Sequence, residues 1–174
     1  MRTALIWIAA ALVLGDFYAI EAQKKALLRN GQTAYLALAQ TYPRPLLEGN
    51  EMTLNYEIAN ALNHAPYEVI KTNHDLVVIH LDSQNVATLV GYYQGTALGP
   101  NEHLLRFHLD CWRVEVGAKS YPISDQLTAQ NLEHAAYGEL KIDADGTSLV
   151  VALCDSEHHR LGATNCARSA IAKY

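Results

Sequence analysis

GELKIDADGTSLVVAL, residues Gly138–Leu153, is the stretch on which the fold turns. Two apolar runs, Gly138–Ile142 and Ser148–Leu153, flank Asp143-Ala144-Asp145-Gly146-Thr147. An Asp-Gly step between such runs predicts a β-hairpin, because the turn needs a residue that accepts positive φ. The same grammar recurs upstream. Leu76–Leu81 (LVVIHL) and Val86–Tyr93 (VATLVGYY) are β-rich runs joined by Asp82-Ser83-Gln84-Asn85, a second hairpin. Gly99-Pro100-Asn101 marks a further turn. Leu104–Leu109 and Trp112–Val116 read as strands on either side of Asp110-Cys111.

Met52–Ile58 (MTLNYEI) sets Met52, Leu54, Tyr56 and Ile58 against Thr53, Asn55 and Glu57, a period of two that predicts a half-buried strand. Ala59–His64 follows as a helical turn. Gln32–Gln40 (QTAYLALAQ) fits strand or helix by pattern, and Pro43 and Pro45 end it in either case. Thr128–Ala136 is the one helix expected inside the domain. Many short strands with frequent turns predict a mainly β domain, a small barrel or sandwich of short antiparallel strands.

The N-terminus has a different character. Thr3–Ile20 (TALIWIAAALVLGDFYAI) carries one charge, Asp16, near its far end. As a helix it spans roughly 27 Å, about one bilayer core. Arg2 precedes it, and Phe17 and Tyr18 fall at the level of the outer interface. Lys24, Lys25 and Arg29 argue for the opposite orientation, but N-terminal anchors export the chain that comes after them. A cleaved leader is the alternative. It lacks a clean small-x-small site, the nearest being Ile20-Glu21-Ala22. Helix formers continue to Arg29, and Asn30-Gly31 supplies the stop. The expected organisation is a transmembrane anchor over residues 1–29 and an extracytoplasmic β-rich domain over residues 30–174 at the cytoplasmic (inner) membrane.

Composition agrees with one domain and one appendage. The chain has 174 residues, 50% apolar and 18% charged, below the usual quarter or so of charged residues. A net charge of -5 without a Lys/Arg run excludes nucleic acid as a partner. Cys111, Cys154 and Cys166 are too few for a disulfide scaffold. A Cys154–Cys166 bridge or three half-buried thiols both remain open.

Two stretches, Gly31–Ile58 and Ala135–Asp155, together resemble the GDYXXLXY family of membrane-anchored bacterial proteins. Pro43-Arg44-Pro45-Leu46-Leu47 forms the approach. Gly49-Asn50-Glu51-Met52-Thr53-Leu54-Asn55-Tyr56 stands at the naming motif, with Gly49, Leu54 and Tyr56 matching and Asn50 and Glu51 replacing its Asp and first Tyr. A late Tyr137-Gly138-Glu139 unit before the Asp145-Gly146 hairpin belongs to the same pattern. The resemblance covers roughly residues 31–162. It favours a strand over Gln32–Gln40, implies a shared anchor, and hints at a polytopic membrane protein as partner. It carries no activity. Turn chemistry explains the motif as architecture: Gly49 and Asn50 shape a turn, while Leu54 and Tyr56 share a buried face with the Tyr hydroxyl paired. Tyr137, Gly138 and Glu139 read the same way.

Candidate chemistry is sparse. Cys154, Glu157, His158, His159 and Cys166 are metal-ligand types, but their spacing matches no zinc pattern, so no metal or cofactor is expected. His80 and His108 lie in strand patterns. Ser124-Asp125 and His134 come without a nucleophile-elbow motif. A serine-lysine peptidase would need a serine where Pro45 sits, with Lys71 the only base nearby. No catalytic residue is assigned. The expected role is a membrane-anchored accessory protein that meets lipid through residues 3–20 and binds another protein or membrane complex. Strand edges and Tyr92-Tyr93 would supply the contact surface. An envelope hydrolase and a self-assembling subunit packing through its helix are the alternatives.

Overall fold

The computed structural model describes residues 2–39, 47–48, 51–64, 75–110, 113–118, 120–122 and 133–162, with the backbone alone at 2–13, 16, 47, 48 and 51. The chain opens with helix α1 (Arg2–Asn30). Strands β1 (Gln32–Ala37), β2 (Leu47–Glu48) and β3 (Glu51–Thr53) follow, then the short helix α2 (Glu57–Asn63). Next come β4 (Leu76–Leu81), β5 (Ala87–Tyr92), β6 (Glu102–Asp110), β7 (Arg113–Val116) and β8 (Ser120–Pro122). A closing hairpin is made by β9 (Tyr137–Ile142) and β10 (Ser148–Cys154). The domain is mainly β, and every pairing between named strands is antiparallel.

The strands form three sheets, ordered β1-β9-β10, β2-β3-β8 and β5-β4-β6-β7. The first meets the third at two places. Tyr35 bridges Val86 beside β5, and the Arg106 amide on β6 donates to the Gly146 carbonyl in the β9–β10 turn at 2.8 Å. The alternation read from sequence decides what fills the space between. Ala34 and Leu36 point inward from β1, with Leu38 just past its end, Val77, Ile79 and Leu81 from β4, and Leu140 and Ile142 from β9. Both expected hairpins form, and each is set by an aspartate. Asp82 Oδ1 accepts from the Gln84 and Val86 amides at 2.8 Å, and Asp145 Oδ1 accepts from the Thr147 amide at 2.9 Å. The Thr147 amide bond is the main reason the Asp145 carboxyl titrates below the usual range.

Helix α1 ends where expected, with the Gly31 amide bonded to the Leu27 carbonyl at 2.8 Å. A Cβ at Gly31 would lie 2.5 Å from that carbonyl, so the junction needs glycine. Lys141 Nζ donates to the Gly31 carbonyl (3.0 Å) and Thr33 Oγ1 (2.9 Å), which clamps the helix end to β9. Among the described side chains of the helix Leu27 is the buried one, while Leu14, Phe17, Tyr18 and Ile20 are exposed. Among the described residues no helix is long and apolar enough to cross a membrane.

The strand that the resemblance favours over Gln32–Gln40 forms over Gln32–Ala37, followed by a Leu38–Tyr56 bridge. Other expectations are corrected. The strand expected over Met52–Ile58 stops at Thr53, and Glu57 already begins α2. Burial nevertheless follows the predicted face, because the chain turns while Leu54, Tyr56 and Ile58 stay directed into one core. Of the helix expected over Thr128–Ala136, residues 133–136 are not helical. There Ala136 is tied to both neighbours, donating to the Cys154 carbonyl and accepting from the Leu38 amide. Residues 128–132 lie outside the described set.

Three strand edges are blunted. The register of β5 on β4 shifts so that Val90 bulges outward, and that of β10 on β9 shifts at Val151, whose carbonyl takes the Tyr121 hydroxyl at 3.4 Å. On β7 the Asn63 side chain mimics a strand, with its Oδ1 taking the Val114 amide at 2.6 Å and its Nδ2 reaching the Val114 carbonyl at 3.4 Å.

Candidate functional site

The two motif stretches meet at Tyr56. Its ring is 1% exposed and lies against the backbone of Gly138 on one side and Gly117 on the other. A Cβ at Gly138 would stand 2.9 Å from Tyr56 Cε1 and 3.1 Å from its hydroxyl, so the glycine of the late unit is the floor on which the earlier tyrosine rests. Leu54 is buried beside it. Glu51 opens β3, in register with Glu48 and Pro122. Gly49 and Asn50 lie outside the described residues. One expectation fails: the Tyr56 hydroxyl is buried and has no hydrogen-bond partner among the described residues. Burial pushes its phenol well above the ordinary range.

Tyr137 and Glu139 flank Gly138 along β9, and strand alternation turns them to the other face. Register places Tyr35 of β1 opposite Glu139 and Cys154 of β10 opposite Tyr137. Glu139 is 3% exposed. Its carboxylate accepts two bonds from Arg160, Nε to Oε2 and Nη2 to Oε1, both 2.6 Å, and the Cys154 thiol lies 3.9 Å from Oε2. His158 stacks on Tyr35 with ring centres 4.4 Å apart and meets Tyr137 at a tilt of 59° with centres 4.8 Å apart. The turn carrying His158 and Arg160 is organised by Asp155, whose Oδ1 accepts the Glu157 and His159 amides at 2.9 Å. These bonds, the His159 amide first, lower the Asp155 carboxyl.

The cluster is closed and non-nucleophilic. Burial first, and the Glu139 carboxylate second, push the Cys154 thiol up to about 11, so it keeps its proton at neutral pH. The bond to Glu139 raises the Arg160 guanidinium further. Tyr35 is raised by burial and then by Glu139. The Cys154 shift makes stability depend on pH. The folded state holds the Cys154 proton at pH values where the unfolded chain, near the ordinary 9.0, releases it. Its contribution to stability is complete below about pH 9 and falls as pH rises towards 11. Denaturant unfolding from pH 8 to 10.5 should show the unsubstituted protein losing on the order of 1 kcal/mol per pH unit more than Cys154→Ala above pH 9. Parallel curves would contradict this.

The other residues of interest disperse. His159 Nδ1 sits 3.5 Å from both Asp155 and Glu157 on an exposed turn, away from Cys154. Among the described residues no group of three or more His, Cys, Asp or Glu side chains could hold a metal ion. Cys111, Cys166, Ser124, Asp125, Pro45 and Lys71 lie outside the described set, and His134 is on an exposed turn. Tyr92 packs edge-on to Phe107 with its hydroxyl buried, so it serves the core rim. An open groove of about 660 Å³ runs beside Tyr137, lined by Ala37, Leu38, Ala39, Glu57, Asn60 and Ala136. Sequence reasoning missed Tyr35 and Arg160 because neither carries a local signal. Each matters only through Glu139.

The sequence profile of the family described as GDYXXLXY protein matches residues 13–153. No curated protein and no solved structure matches the chain.

Proposed function

The chain belongs to the GDYXXLXY family, and on that premise we propose that it is a membrane-anchored accessory protein, its small barrel-like β domain held outside the cytoplasm by α1 and serving another membrane protein or complex. One observation carries this reading. Helix α1 leaves the domain with Leu27 buried, while Leu14, Phe17, Tyr18 and Ile20 are between 52% and 78% exposed. Those side chains continue the apolar run that begins at Thr3. Moving each large apolar side chain out of water is worth roughly 1.5–3 kcal/mol. Asp16 lies late in the run, where the polar interface reduces its cost. The blunted edges of β5, β7 and β10 disfavour strand addition and direct partner contacts towards α1 and the loops. The domain's polar cluster serves as architecture, since its thiol is protonated and its carboxylate is already paired.

Fractionation tests the reading. The full chain is expected to sediment with membranes and to resist extraction at alkaline pH. A C-terminal reporter active only outside the cytoplasm should be active. Release of the intact chain into the soluble fraction would overturn the anchor, and a silent reporter the orientation. Mild-detergent purification should bring down a polytopic partner, whereas recovery as a homo-oligomer would favour self-assembly.

A further inference from the structure

Cys154 and Glu139 are buried beneath a short return of the chain rather than within the sheet stack. Leu161 N donates to the Leu153 carbonyl at 2.7 Å and Cys154 bridges Arg160, so residues 155–161 double back over β1 and β9. Within the turn the hydrogen bonds are internal. Asp155 N reaches the His159 carbonyl at 3.0 Å, His158 N reaches the Asp155 carbonyl at 3.1 Å, and the Asp155 carboxylate caps two amides. Among the described residues the turn is held on the sheet by the His158 ring, the Arg160–Glu139 pair, the Leu161 bond and the packing of the Leu161 side chain against the core.

We propose that Asp155–Leu161 is a latch that opens as a unit while the β core stays folded, baring an anionic seat formed by Tyr35, Tyr137, Glu139 and Cys154. Opposed forces act on this turn. The bidentate Arg160 bonds favour closure, since Glu139 has no other cation at bonding distance among the described residues. Opening is favoured at His158, which sits at φ 62, a left-handed conformation disfavoured for a non-glycine residue. Its Nε2 is buried without a partner among the described residues, and water would satisfy it once the turn lifts. Arg160 keeps 52% of its side-chain surface exposed while paired. Tyr35, Tyr137 and Glu139 fall inside the family match over residues 13–153, and Cys154 and the latch follow it.

Cys154 reports on the latch. In the full chain with Cys111 and Cys166 replaced by serine, held in mild detergent, thiol labelling is followed at urea concentrations below the unfolding transition. Sub-global opening predicts a labelling rate with much shallower urea dependence than global unfolding. Arg160→Ala should raise that rate at least tenfold. Ile79→Ala, a core change on β4, should not raise it at low urea. Glu139→Gln keeps the shape of the seat, loses the charge pair and should also accelerate labelling, so it decides the matter if Arg160→Ala does not fold. The latch is overturned if labelling carries the full urea dependence of unfolding and all variants follow global stability. It is equally overturned if shallow labelling ignores both latch substitutions.

Discussion

Tyr56→Ala is expected to cost about 3–5 kcal/mol of folding stability, while Tyr56→Phe should cost nothing or stabilise by up to about 1 kcal/mol. The contrast comes from the different surroundings of the ring and the hydroxyl. The ring is among the largest fully buried side chains and fills the space over Gly138 and beside Gly117. Truncating it leaves a cavity that rigid strand backbone cannot fill. The hydroxyl is buried with no partner among the described residues, so it was desolvated without compensation, and removing it relieves that cost. Gly138→Ala tests the same contact from below. Its methyl would press on Tyr56 Cε1 and the hydroxyl, so a loss of about 1–3 kcal/mol is expected, smaller when Tyr56→Phe is combined with it. Urea unfolding of these variants beside the unsubstituted protein checks all three statements. A loss above about 1 kcal/mol for Tyr56→Phe alone would mean that the hydroxyl has a bond to keep.

Arg160→Ala should cost about 2–4 kcal/mol, because among the described residues it leaves the buried Glu139 carboxylate with no cation. The half exposure of Arg160 places the loss below that of a fully buried pair. Replacing both partners, Arg160→Met with Glu139→Leu, should cost less than Arg160→Ala alone, since neither charge is then stranded. A double substitution at least as costly as the single one would show that the pair contributes more by its bonds than it demands in desolvation. Thermal melts of the single and double variants give the comparison.

Much of the fold was legible along the chain. Asp82-Ser83-Gln84-Asn85 and Asp143-Ala144-Asp145-Gly146-Thr147 specified two hairpins, because turn geometry depends on a few adjacent residues whose side chains bond their own backbone. The stop after Arg29 was legible for the same reason. The period-two face of Met52, Leu54, Tyr56 and Ile58 correctly marked what is buried, although not the backbone that buries it. Periodicity reports which side meets the core. A helix entered at Glu57 can keep Ile58 directed there as well as a strand can. Residue types singled out Tyr56 and Gly138, but the contact between them was not legible.

From its own order of residues the chain determined a β-rich domain of hairpins behind an N-terminal helix that stops before Gly31, with a buried face around Tyr56. These properties depend on neighbours a few positions apart. Only the tertiary structure decided that Gly138 lies under Tyr56, that Arg160 finds Glu139, and that His158 enters between Tyr35 and Tyr137. Those contacts join residues far apart in sequence and exist only once β9 has taken its register between β1 and β10. No local rule encodes that register. It is set by which apolar faces bury each other best, a property of the whole core.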